Sequence, residues 1–124
     1  MQLVILSGPP NAGKSSTAEA LCQRYDRMLH IDVGVLRDFL RMGRLRPWDE
    51  SPEGRRQHGL LIESACDMAR RFLDAGYGAV IDDVVTQDDL PQWFGGFIQI
   101  CRNFSRAQQW SGQDWRIFAQ ESAN

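Results

Sequence analysis

Eight residues near the start of the chain constrain it most. They are Gly8-Pro9-Pro10-Asn11-Ala12-Gly13-Lys14-Ser15, and they follow directly on the apolar run Leu3-Val4-Ile5-Leu6. Glycines at the first and sixth positions let the backbone take conformations closed to other residues and let a ligand approach closely. The amides of Asn11 to Ser16 then fall at the start of a helix, whose dipole also favours an anion. Pro9 and Pro10 carry no N–H, so they shape the loop without donating to a ligand. The spacing G-x-x-x-x-G-K-S thus implies a loop that cradles the phosphates of a nucleoside triphosphate. Gly8, Asn11, Ala12, Gly13, Lys14, Ser15 and Ser16 are its expected contacts. Lys14 would reach the β- and γ-phosphates, and the Ser15 hydroxyl would ligate Mg²⁺.

The rest of the chain supplies a setting for such a loop. Gln2–Leu6 reads as a buried strand. A helix is expected from about Gly13 to Tyr25, with Ala18, Leu21, Cys22 and Tyr25 on one face. Met28–Ile31 is a second short strand that ends at Asp32. Leu36, Phe39 and Leu40 form the stripe of a second helix, which Gly43 would end. Ser51 is the expected N-cap of a third helix, with Pro52 at its first position and Glu53 in its first turn. Leu61, Ala65, Met68, Ala69 and Phe72 follow in helical register, and Gly76 stands where a C-cap belongs. Gly78–Ile81 reads as a third buried strand, ending in Asp82-Asp83. The order β-α-β-α-α-β predicts an α/β fold with a parallel sheet and helices on both faces.

Ligands in such sheets bind beyond the carboxyl ends of the strands. Asp32, Asp82 and Asp83 stand at such ends. Asp82 and Asp83 are candidates, with Ser15, for holding Mg²⁺. Asp32 suits the catalytic task of positioning or deprotonating an acceptor hydroxyl, beside Lys14 as the phosphate-binding cation. Asp32 is equally suited to cap the following helix, and the two roles are compatible. Arg37, Arg41 and Arg44 could face an anionic substrate, though a solvated face is the simpler reading. His30 and His58 are isolated, with no partner identifiable from sequence, which favours structural or surface roles. Trp48 could line an acceptor pocket, with packing as the plainer alternative.

Composition sets the outer bounds. A length of 124 residues fits one domain, and 43% apolar with 24% charged residues is ordinary globular usage. The formal charge of −2 leaves no overall basic footprint, which weighs against a polynucleotide partner. Cys22, Cys66 and Cys101 form no C-x-x-C pair or Cys/His cluster, so reduced thiols in a cytoplasmic protein are the simplest expectation. The apolar start is too short for a signal peptide or a membrane span.

The stretches Val4-Ile5-Leu6-Ser7-Gly8, Gly13-Lys14-Ser15-Ser16, Asp32 and Ala79-Val80-Ile81-Asp82-Asp83-Val84 together resemble the chloramphenicol phosphotransferase-like proteins. These are P-loop kinases near the zeta toxins and the polynucleotide kinase group. The resemblance covers roughly residues 2–95. It implies a P-loop NTPase-type three-layer α/β/α fold and ATP-dependent, Mg²⁺-assisted transfer of the γ-phosphoryl group to a hydroxyl of a small molecule. Asp32 falls at the family's acceptor-side carboxylate, and Lys14 and Ser15 at its nucleotide and metal positions. The usual sheet order of such kinases, 2-3-1-4-5, would set Asp82 and Asp83 beside the phosphate loop. After about Phe94 the chain departs from the pattern. Phe97–Cys101 could be a fourth strand and Arg102, Arg106 and Arg116 lid arginines, but Gln108 to Asn124 shows no clear strand. The resemblance therefore implies a sheet incomplete at the C-terminus, in a truncated or frame-shifted member. A nucleotide-binding protein without transfer activity is the alternative.

Overall fold

The computed structural model describes residues 2–7, 14–83, 104–111 and 116–122 of the chain. The elements run β1 (Gln2–Ser7), α1 (Lys14–Cys22), β2 (Met28–Asp32), α2 (Val33–Asp38), α3 (Pro52–Asp74), β3 (Gly78–Asp83), β4 (Phe104–Ser111) and β5 (Arg116–Ser122). The sheet order is β2-β3-β1-β5-β4. The first three strands are parallel, so the protein is α/β with a small parallel three-stranded unit.

Alternation along the strands sorts the core into two layers. Leu3, Ile5, Ala79, Ile81 and Ile31 pack with Val33 of α2 and with Leu61, Ile62, Ala65, Ala69 and Leu73 of α3. Val4, Leu6 and Val80 pack with Ala18 of α1, flanked by Leu21, Cys22 and Met28. Helices therefore cover both faces of the parallel unit, and β3 is buried throughout. This is the expected signature of strands that read as continuous apolar runs.

Helix α3 follows its start and stop signals closely. Ser51 Oγ accepts the Gly54 N–H at 3.1 Å, and Pro52 opens the helix. At the other end Tyr77 N–H reaches Phe72 O at 2.9 Å and Gly76 N–H reaches Leu73 O at 3.1 Å. Gly76 has φ 96°, which completes a Schellman turn. The Phe72 and Tyr77 rings meet edge to face, 5.3 Å between centroids, and supply its apolar clasp.

Three expectations change. Helix α2 is only six residues long and buries Val33 and Arg37, whereas Phe39 is 70% exposed. The chain must turn early here because Gln57 ties down the following loop, accepting from Leu45 N–H at 2.8 Å and donating to Gly43 O at 2.9 Å. Trp48 is likewise exposed rather than packed. Finally, the tail is not strandless: β4 and β5 form an antiparallel pair, and β5 lies antiparallel to β1. The second edge of β1 carries a full row of backbone donors and acceptors, and pairing them outweighs the weak strand propensity of a Gln- and Ser-rich segment. The sheet is thus mixed rather than wholly parallel. The proposed strand at Phe97–Cys101 lies outside the described residues.

Candidate functional site

Parallel register aligns the strand ends. Asp32 lies opposite Asp82, Leu6 opposite Asp82, and Ser7 opposite Asp83. The chain leaves β1 at Ser7 directly into the glycine loop, and re-enters described structure in α1 at Lys14. Gly8, Asn11, Ala12 and Gly13 lie outside the described residues. Ser15 and Ser16 occupy the exposed first turn of α1. The three acids therefore share one end of the sheet with Ser7, the last residue of β1.

Asp32 is both a strand-end carboxylate and the N-cap of α2: its Oδ1 accepts the Val35 N–H at 3.3 Å. Gly34 keeps this arrangement open, since a Cβ there would stand 3.1 Å from that oxygen. The carboxylate remains half-exposed.

Asp82 and Asp83 diverge. The pleat sends neighbouring side chains to opposite faces, and their partners follow suit. Asp82 is fully buried on the α1 face, where Oδ2 accepts from His30 Nε2. The other ring nitrogen of His30, Nδ1, lies 3.3 Å from Glu19 Oε2 on α1. A histidine with a carboxylate at each nitrogen donates to both only as imidazolium. Its pKa is raised accordingly, chiefly by the Asp82 hydrogen bond; burial opposes the shift, and Glu19 and Asp32 add to it.

Asp83 turns to the α3 face. Its Oδ2 lies 3.3 Å from His58 Nε2, an ion-pair distance without hydrogen-bond alignment. His58 Nδ1 stands 2.6 Å from Arg37 Nη2. Arginine can only donate, so Nδ1 accepts and the proton of a neutral His58 sits on Nε2, facing Asp83. Arg37 also donates to Leu45 O at 3.4 Å. Arg37, His58 and Asp83 are all less than a tenth exposed, and together form a buried polar chain from α2 through α3 to β3.

Both histidines have partners that could not be identified from the sequence, although signals of their placement existed. His30 precedes Asp32 by two positions and so shares its face of β2. His58 stands three and four residues before Leu61 and Ile62, on the buried stripe of α3. Arg37 is likewise no solvated residue, whereas Arg41 and Arg44 are exposed, and Arg44 pairs with Asp38 at 2.7 Å. Of the arginines considered for a lid, Arg102 lies outside the described residues. Arg106 is in β4 opposite Glu121, and Arg116 opens β5 opposite Ser7. Both belong to paired strands rather than to a helix.

As a cation site, Ser15 and Asp82 offer hard oxygen donors on the same face of the sheet, chemistry that suits Mg²⁺. Asp83 is directed away from them. Among the described residues no group of three or more His, Cys, Asp and Glu forms a preassembled metal cluster. No helix among them is long and apolar enough to cross a membrane. In comparison with known proteins, no family model and no curated sequence matches the chain.

Proposed function

We propose that this chain is a cytoplasmic P-loop phosphotransferase that moves the γ-phosphoryl group of ATP to a hydroxyl of a small molecule. The observation that carries this reading is the register: it gathers Asp32, Asp82 and Asp83 at the strand end where the G-x-x-x-x-G-K-S sequence begins. Ligands of open α/β sheets bind at that end; the order β2-β3-β1 matches the first half of the 2-3-1-4-5 order, whereas β5 lies antiparallel beside β1 where that order puts β4.

Each residue then has a task. Lys14 and the loop amides hold the triphosphate. Ser15 and Asp82 would hold Mg²⁺, which when bound neutralises charge on the phosphate oxygens. Asp32 orients the acceptor hydroxyl and takes its proton. The acceptor oxygen bonds to the γ-phosphorus as the bond to the β–γ bridging oxygen breaks, and ADP leaves. Since Oδ1 of Asp32 is engaged by the helix amide, Oδ2 is the oxygen placed to receive the proton.

A γ-phosphate transfer assay on the full chain tests this. Asp32→Asn is expected to lower transfer by about 10²–10⁴-fold while ATP affinity stays near wild type. Lys14→Ala is expected to abolish ATP binding. Transfer at the wild-type rate in Asp32→Asn would sink the base assignment, and ATP affinity indifferent to Lys14 would sink the loop.

Two observations favour a second reading, nucleotide binding without transfer. Asp82 is already engaged by His30, and Arg106 and Arg116 lie in paired strands rather than on a lid. That reading expects Lys14-dependent ATP binding with no phosphorylated product from any hydroxyl acceptor.

A further inference from the structure

An open depression of about 490 Å³ runs along α1 and β2, lined by Ser15, Ser16, Glu19, Ala20, Gln23 and His30. Its volume lies in the range of small-molecule sites. Four-residue spacing puts Ser15, Glu19 and Gln23 on one side of α1, so that side of the helix forms the wall. The edge strand β2 contributes His30.

The lining has a definite chemistry. Two hydroxyls and an amide can accept or donate at the rim and a carboxylate can accept, while the Ala20 methyl and the side-chain stems leave apolar surface between them. The one aromatic and cationic side chain in the lining, His30, has both ring nitrogens taken up by Asp82 and Glu19, and no arginine or lysine stands among the lining residues to hold an anionic acceptor. Alternating C–H faces and hydroxyl edges match this pattern. Position matters as much. Ser15, at one end, belongs to the phosphate loop. Asp32 lies two residues beyond His30 on the same face of β2, roughly 7 Å along the strand.

We propose that this groove is the acceptor site and that the acceptor is a neutral polyhydroxylated small molecule, a sugar or cyclitol. Ser16, Glu19 and Gln23 hold its hydroxyls, and its C–H face rests on Ala20. This rests on the phosphotransferase reading above. One hydroxyl of the bound ring is presented to Asp32, which receives its proton as the phosphoryl group arrives.

The test uses the full chain with ATP and Mg²⁺, and glucose, myo-inositol and 1-phenyl-1,3-propanediol as probes. Phosphorylated product is read by mass and ATP affinity by calorimetry. The expected result is turnover of glucose or myo-inositol but not of the aromatic diol. Ala20→Trp, which fills the groove from an exposed helix position, should raise the KM for that polyol about tenfold or more with ATP affinity unchanged. Gln23→Ala, a milder change that keeps the helix, should raise it in the same direction. Turnover confined to the aromatic diol, polyol turnover indifferent to both variants, or no polyol turnover at all would each overturn the groove assignment. In all three cases Lys14-dependent ATP binding would leave the nucleotide site standing, and its loss would bring that down as well.

Discussion

His30 spans two carboxylates, Asp82 at one ring nitrogen and Glu19 at the other, and thereby joins β2, β3 and α1. The fold binds its proton more tightly than the unfolded chain does. The stabilisation is therefore complete below the ordinary histidine value of 6.5 and is lost as pH rises through the raised folded value. His30→Asn removes the titrating ring while keeping a donor. In urea melts between about pH 5.5 and pH 9 its stability deficit is expected to be largest at the acid end and to shrink as pH rises. A deficit of constant size across that range would mean that the ring acts through packing alone. The buried thiol of Cys66 has the opposite environment: burial first, then Asp67 and Glu63, push it up to about 12, which makes it a core residue rather than a nucleophile.

At the scale of elements, α3 separates propensity from packing. Helix propensity alone says that Gly54→Ala should stabilise the helix by about 1 kcal/mol. Yet a Cβ at Gly54 would stand 2.4 Å from the Asp49 carbonyl oxygen and 2.6 Å from its carboxylate. Backbone cannot yield as a flexible side chain can, so packing should win. Gly54→Ala is expected to destabilise by about 1–3 kcal/mol, the usual cost of overpacking. Ser51→Ala, which only removes the cap, should cost about 1 kcal/mol. Chemical denaturation of both variants checks the order, and a stabilised Gly54→Ala would show that Asp49 gives way. The cap, the Pro52 start and the Gly76 stop were legible because each is a local backbone requirement. The close approach of Asp49 was not, because it depends on how the preceding loop folds back onto the first turn.

At the scale of the whole molecule, β5 and β4 complete a sheet that the parallel strands leave open. β1 pairs with β3 on one side and with β5 on the other, in register from Gln2–Glu121 to Ser7–Arg116. A chain ending at residue 103 would expose the β1 edge, a template for pairing with another copy. Such a chain is expected to self-associate and to melt earlier than the full protein, as read by light scattering and thermal denaturation. A monodisperse, equally stable species would show that the hairpin contributes little. The pairing also sets Arg116 at the strand end occupied by Ser7 and Asp83, a placement that no local pattern in the tail announces.

The division between sequence and tertiary structure follows from the range of the interactions. The amino-acid sequence by itself determined the features that rest on local geometry. These are the strand–loop–helix order around Gly8 to Ser15, the three parallel strands, the caps of α3, and the strand-end positions of Asp32, Asp82 and Asp83. Each is written in spacing, glycine and proline placement, or continuous apolar runs. Only the tertiary structure decided what those acids meet. Pleating sends Asp82 to His30, whose other nitrogen meets Glu19, and Asp83 to His58, whose other nitrogen meets Arg37, across 52 residues of sequence in the first case. It also drew the tail into the sheet, because an unpaired edge of a central strand costs more than a segment of modest propensity loses by becoming a strand.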